Sequence, residues 1–311
     1  MTDHPSALET NSAWAFAAYQ GVRHRLPQAR FPAASRTAPD LTALIQRHDI
    51  FLLDAFGVLN VGEVAIPGAV DHVTALQEAG KHVMVVSNAA GYPKRFLMAR
   101  LARLGFSFAP DQVLSSREVL LAHLRELPAR RWGLMADAQY GLEELDGLDA
   151  TILGDDPAAY DAAGGFAFLG SGTWTDHRQH LLTGSLQRNP RPVLVGNPDI
   201  VAPREGGLSL EPGHFAHLLA DQTGMLPEFF GKPYPAIFDM ALSRAKAARP
   251  DVTDPARIVM VGDTLHTDIL GGAAAGLHTA LVTGFGALLG LDVDTAIRKA
   301  GIVPDIILPT P

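Results

Sequence analysis

The run Ile50-Phe-Leu-Leu-Asp54-Ala-Phe-Gly-Val-Leu59 carries the reading of the whole chain. Four apolar residues with no polar interruption, stopped by an acid, have the pattern of a short strand buried on both faces. Downstream, Pro67 opens an expected helix through Glu78, with Ala69, Val70, Val73 and Leu76 on one face and Gly80 as its stop. A second apolar strand follows over His82–Val86 and ends on Ser87-Asn88. Strand, helix, strand with both strands continuously apolar predicts a parallel sheet covered on both faces. Ligands of such sheets gather at the carboxyl ends of the strands, where Asp54 and Ser87 stand.

The pattern continues outward from there. A helix is expected over Pro93–Leu104 and a short strand near Val113-Leu114. Between residues 117 and 228 glycine, proline and aspartate break the apolar segments into shorter pieces, which predicts an inserted domain. Regularity resumes after Gly231-Lys232-Pro233: a helix over Ala236–Ala247, a strand Ile258–Val261 ending on Gly262-Asp263, a helix Ile269–Ala275 and a strand His278–Val282. The expected organisation is an extension (1–40) with little chemistry of its own, a core formed by 41–116 and 229–311, and an insert over 117–228. The fold class is α/β, with a three-layer, Rossmann-like parallel sheet in the core and an α/β insert.

Composition narrows the function. The 311 residues are 47% hydrophobic and carry a net charge of −8, which argues against disorder and against a broad nucleic-acid-binding surface. There is no cysteine, so thiol nucleophiles and thiolate metal sites are excluded, and any metal must be held by oxygen or imidazole. The N-terminal stretch MTDHPSALETNSAWAF lacks the basic patch and apolar run of a secretory signal, so a cytoplasmic location is expected. Ile269–Leu291 is long enough and free enough of charge to span a bilayer, but it holds six glycines and is flanked by Asp268 and Asp292. It reads as a buried helix followed by a strand, and no membrane association is expected.

The candidate chemistry lies at the strand tips. Asp54 ends one strand, and Gly262-Asp-Thr-Leu-His-Thr-Asp268 brings two further acids to the tip of another. Three carboxylates meeting at one sheet edge repel unless a cation sits among them, and hard oxygen ligands without cysteine point to Mg²⁺. Any one of these aspartates taken alone reads equally well as a helix N-cap. Ser87-Asn88 offers a hydroxyl and backbone amides to an anion, although such a pair is more often a turn. Lys232 is one of only five lysines and is fixed between glycine and proline, which favours function over a surface role.

These four pieces, in this order, resemble the haloacid dehalogenase superfamily of aspartyl-phosphate-forming hydrolases over roughly residues 48–290. Asp54-Ala-Phe-Gly-Val, Ser87, Lys232 and Gly262–Asp268 match its four motifs. Ile66-Pro-Gly-Ala, Val86-Ser-Asn-Ala, Gly196-Asn-Pro-Asp199 and Gly231-Lys-Pro-Tyr-Pro resemble the class with a C2-type cap, which includes 4-nitrophenyl, pyridoxal, nucleotide and sugar phosphatases. The resemblance implies a small phosphorylated substrate, Asp54 as nucleophile, Ser87 and Lys232 on the phosphoryl group, and Mg²⁺ held by Asp54, the carbonyl of Phe56, Asp263 and Asp268. Asn88, Asn197 and Asp199 become candidates for substrate contact, with an Asn-Pro-Asp turn as the alternative for the last two. A homodimer through the cap is the association it implies.

One position departs from the pattern. Phosphatases of this superfamily carry a second aspartate two residues after the nucleophile, as the general acid; here that residue is Phe56. Three readings follow: a phosphatase with altered or weak activity, a metal-independent displacement of the haloacid dehalogenase kind, or a non-catalytic phosphate-binding module. His266, inside the fourth motif, is expected to be a partly exposed loop histidine rather than a proton donor. Trp132, Tyr140 and Trp174 are expected to pack the core of the insert rather than to line a pocket.

Overall fold

A computed structural model describes residues 11–204 and 207–311. Its larger sheet has seven strands in the order Arg36–Thr37, Ile306–Leu308, His278–Val282, Ile258–Gly262, Ile50–Leu53, His82–Ser87, Val113–Ser115. Every neighbouring pair is parallel. The reason is legible strand by strand. Ile50 and Leu52 belong to the apolar cluster on one face, with Met84, Val86, Ile258 and Met260. Phe51 and Leu53 belong to the cluster on the other, with Val83, Val85, Val259 and Val261. Two apolar faces at a period of two produce the uninterrupted apolar runs.

From Ile50–Leu53 the chain winds outward through His82–Ser87 to Val113–Ser115, then returns to pair Ile258–Gly262 on the opposite side of Ile50–Leu53. The strand order therefore reverses between these two neighbours, and the crevice of such a switch point opens beyond their carboxyl ends. Asp54 and Asp263 are the first residues after those ends.

A second, five-stranded parallel sheet is built from Glu228–Phe229, Val193–Val195, Gly165–Phe168, Trp132–Met135 and Ala150–Ile152, in that order. Helices Asp176–Arg188 and Pro212–Thr223 cover one face through Leu182, Leu186, Phe215 and Leu219. Trp132, Leu134, Ala167 and Leu194 join the apolar cluster of the core instead. Trp174 therefore packs in the insert as expected, whereas Trp132 packs in the cluster shared with the larger sheet and Tyr140 meets Tyr92 and Phe96 at the cavity.

Several local expectations shift. The helix expected from Pro67 begins at Ala69, because Gly68 at φ +81° takes a left-handed turn first. Before the helix Leu270–Ala274 comes one wide turn, Leu265–Ile269, so helical geometry begins inside the fourth motif. The stretch Ile269–Leu291 is a short helix, a strand and a turn, and no helix among the described residues is long and apolar enough to cross a membrane. Residues 11–40 do more than extend from the core. Arg36–Thr37 forms the sheet edge against Ile306–Leu308, and α1 (Ser12–Gly21), capped by the Asn11 side chain accepting from the Trp14 amide, lies against the crevice.

Leu52 is fully buried at the centre of the sheet. Leu52→Ala is expected to lower the unfolding free energy by about 2–5 kcal/mol, through lost transfer energy and the cavity left behind, as read from urea denaturation.

Candidate active site

The two central strand tips set the geometry. The Asp54 amide donates to the carbonyl of Val261 at 2.9 Å, which continues the ladder one residue past the strand and fixes the carboxylate beside Asp263. Asp263 accepts from the Ala287 amide at 2.6 Å and the Thr264 hydroxyl at 3.2 Å. Asp268 folds back along the wide turn and accepts from the Thr264 amide at 3.1 Å. One oxygen from each of Asp54, Asp263 and Asp268 lies within 4.8 Å of the others. Close approach depends on two glycines. A Cβ on Gly57, at φ +77°, would stand 2.4 Å from Cγ of Asp263, and one on Gly262 would stand 2.1 Å from Cγ of Asp268.

Lys232, just before the helix Pro235–Ala248, enters this cluster. Its Nζ is 2.6 Å from Asp54 Oδ1 and 2.7 Å from Asp268 Oδ1, with the side chain 2% exposed. Burial works against the ammonium, but Asp268 and Asp54 outweigh it and raise the lysine above its ordinary value. Burial raises the Asp54 carboxyl to about 6, against the pull of Lys232. Asp263 is pushed well above the carboxylate range by burial and then by the charges of Asp268 and Asp54.

Three buried or half-buried carboxylates thus face one ammonium, an excess of negative charge at one sheet edge. Apart from its ion pair with Lys232, Asp268 Oδ1 has no partner among the described residues. An all-oxygen cluster of three converging carboxylates, with a single ammonium beside it, fits a hard divalent cation.

Around the cluster is a cavity of about 410 Å³, within the ordinary range for small-ligand sites. Every candidate except Asp268 lines it: Asp54, Phe56, Ser87, Asn88, Asn197, Asp199, Lys232 and Asp263. Ser87 Oγ accepts from the Ala89 amide at 3.3 Å, a tight turn at the strand end. Asn88 lines the cavity but turns its side chain to the protein. Its Nδ2 donates to Asp199 at 2.8 Å and to the Lys232 carbonyl at 3.0 Å, while its Oδ1 accepts the Lys232 amide at 2.7 Å. The side-chain amide is fully used in joining three segments, so this side chain positions Lys232 and Asp199 and has no donor left for a substrate.

Asn197 is engaged in the same way. Its Oδ1 accepts the Asp199 amide at 2.9 Å, an Asx turn, and its Nδ2 donates to Glu211 at 3.1 Å. The turn reading holds for Asn197, and the turn delivers Asp199 to the cavity, where burial raises its carboxyl to about 8.

Phe56 lies in the cavity wall beneath Arg100, whose guanidinium carbon is 5.5 Å from the ring centroid and whose Nη1 donates to the Tyr92 hydroxyl at 2.9 Å. His266 is buried rather than partly exposed. It stacks on Tyr19 at 5.2 Å and 9° and meets Gln20 Oε1 through Nε2 at 3.0 Å. Burial lowers its imidazole to about 3, which keeps it neutral. The cavity also takes residues that sequence reasoning passed over, Ser12, Ala15, Phe16 and Tyr19 of α1 with Tyr92 and Arg100, and it takes Tyr140, which was expected to pack the insert. Asn11 immediately before SAWAFAAY was the available signal, as a helix N-cap.

Comparison with known proteins gives a consistent picture. A family model described as haloacid dehalogenase-like hydrolase matches residues 51–150, and a second HAD-hydrolase-like model matches 229–307. The chain is 32% identical over 289 residues to the glycerol-3-phosphate phosphatase of Gallus gallus, covering 85% of this chain and 89% of that protein. It is 28% identical to the dihydroxyacetone phosphatase of Corynebacterium glutamicum (strain R), over 80% of this chain and 84% of that one. Among solved structures, a haloacid dehalogenase-like hydrolase from Brucella suis 1330 superposes with a TM-score of 0.74 at 25% identity, covering 88% of this chain and 99% of that one.

The raised carboxyls set a pH dependence. Without metal, folded Asp54 and Asp199 hold protons up to about 6 and about 8. In the unfolded chain they release them near about 4. The folded state binds more protons across that window, so stability is expected to fall as pH rises from about 4 towards 8. Thermal unfolding of the metal-free protein should follow that slope, and Asp199→Asn should flatten it above pH 6.

Proposed function

The chain belongs to the haloacid dehalogenase-like hydrolases, and we propose that it is a Mg²⁺-dependent phosphatase of a small phosphorylated metabolite, with Asp54 as its nucleophile. The observation that carries this reading is the pairing of a cavity-lining carboxylate, Asp54, with a buried ammonium that also binds Asp268. Phosphatases named among the relatives support it.

Asp54 attacks phosphorus; its O–P bond forms as the bond to the leaving oxygen breaks, and the electron pair departs with that oxygen. Lys232 and the Ser87 hydroxyl hold the phosphoryl oxygens, where charge builds as the leaving group departs. Asp54, Asp263, Asp268 and the Phe56 carbonyl hold the Mg²⁺. When bound, the cation neutralises the carboxylates and the phosphoryl charge.

Phe56 has no proton to give, so the leaving oxygen takes one from elsewhere. Asp199 is the donor in this reading. It lines the same cavity, is oriented by Asn88, and is kept protonated at neutral pH by burial. Water then attacks phosphorus, the Asp54 O–P bond breaks to restore the carboxylate, and Asp199 recovers the water's proton. The displacement reading is weaker, because a metal-free haloacid site has no need of the Asp263 and Asp268 carboxylates that face Asp54 here.

Turnover of phosphate monoesters is expected only with Mg²⁺ and is expected to vanish in Asp54→Asn; halide release from 2-haloacids without metal would favour displacement instead. A second measurement separates the proton donor from the nucleophile. Asp199→Asn should lower hydrolysis of an alkyl ester such as glycerol phosphate by about a hundredfold or more, while 4-nitrophenyl phosphate, whose leaving oxygen needs no proton, changes far less.

A further inference from the structure

The first helix of the chain is built into the cavity. Ser12, Ala15, Phe16 and Tyr19 recur at the i, i+3, i+4, i+7 spacing of one helical face, and all four line the cavity. That face lines the cavity and meets the Asp263–Asp268 turn, with Phe16 also packed against the apolar cluster of Leu265, Ile269 and Leu270.

The helix is held in place from several directions. Towards the core, Tyr19 stacks on His266, Phe16 meets the same ring edge-on at 5.4 Å and 71°, and Gln20 binds His266 through Oε1 and the Lys299 carbonyl through Nε2 at 2.6 Å. Towards the inserted unit, the Tyr19 hydroxyl accepts the Ile200 amide at 3.1 Å, one residue past Asp199. Just beyond the helix, Arg25 donates to the His217 carbonyl at 3.2 Å and pairs with Asp221. One short segment thus spans the core and the insert across the mouth of the site, with ring positions set by contacts on both sides.

We infer that α1 is the specificity wall of this active site: Phe16 and Tyr19, with the small Ala15 beside them on the same face, set the size of the group esterified to the phosphate. The inference rests on the phosphatase reading for the orientation of the ligand, with the phosphoryl group at Lys232 and the organic group towards α1. A cavity of about 410 Å³, closed on that side by aromatic rings, selects compact monoesters over extended ones.

The test uses binding, so that it is separable from turnover. Dissociation constants of the full-length protein with Mg²⁺ are measured by titration calorimetry for inorganic phosphate, phenylphosphonate and biphenyl-4-ylphosphonate. The wild-type protein should bind the biphenyl compound about tenfold or more weakly than the phenyl one, and Phe16→Ala should bring that ratio close to one. The converse variant, Ala15→Leu, which adds volume to the wall, should weaken phenylphosphonate by about tenfold or more and inorganic phosphate hardly at all. Size ratios unchanged in both variants, an equal loss of all three ligands in folded Ala15→Leu protein, or no phosphonate binding by the wild type would overturn the inference. Wall-dependent binding without turnover of any monoester would leave the wall standing and remove the phosphatase reading; turnover with unchanged ratios would do the reverse.

Discussion

The arrangement turns on a buried ammonium. Lys232, almost wholly removed from water, sits between Asp54 and Asp268 with both Nζ–O distances under 3 Å. Desolvating such a group costs several kcal/mol unless charge and geometry return it, and here two carboxylates approach from adjoining elements of one sheet edge. That requirement reaches far along the chain. It needs Ile50–Leu53 and Ile258–Gly262 as parallel neighbours, a wide turn to swing Asp268 back, and glycine at 57 and 262 so that the backbone can crowd the carboxylates. It also needs Asn88, which grips the backbone of Lys232 at both its amide and its carbonyl.

Much of this was readable from residue order, because the physics involved is local. A doubly buried strand must be apolar at every position, so Ile50–Leu53 and Ile258–Val261 announce themselves, and an acid ending such a run stands at a sheet tip. Lys232 was readable because lysine is scarce in this chain and this one is hemmed in by Gly231 and Pro233. What was not readable depends on contacts between distant segments. Arg36–Thr37 is only two residues long, too short for a period, and exists as a strand because Ile306–Leu308 offers it a partner. The stripe of α1 faces a cavity, so its apolar residues do not look like a core face. His266 resembled a loop residue until Tyr19 and Phe16, some 250 positions away, were seen to enclose it. The clamp formed by the Asn88 side chain shows only in its three hydrogen bonds to Asp199 and Lys232.

Phe56 gives the site its individual character. The ring is not a hole in the machinery, since Arg100 lies over it, and Arg100 is in turn held by Glu63 and the Tyr92 hydroxyl. The cavity around the nucleophile is therefore more aromatic and less acidic than one with a carboxylate at that position, with Tyr92 and Tyr140 on one side and Phe16 and Tyr19 on another. In the proposed mechanism, proton transfer and substrate selection fall to Asp199 and α1, outside the sheet that carries Asp54. Asp199 and Tyr19 meet at that junction, where the Ile200 amide joins the two.

The most direct test of the central claim is acid-quench mass spectrometry of the peptide bearing Asp54, after brief mixing of the full-length protein with 4-nitrophenyl phosphate and Mg²⁺. The account predicts an added phosphoryl group confined to Asp54, absent without the cation. Phosphate released while the label sits on another residue, or turnover that persists in Asp54→Asn, would contradict it.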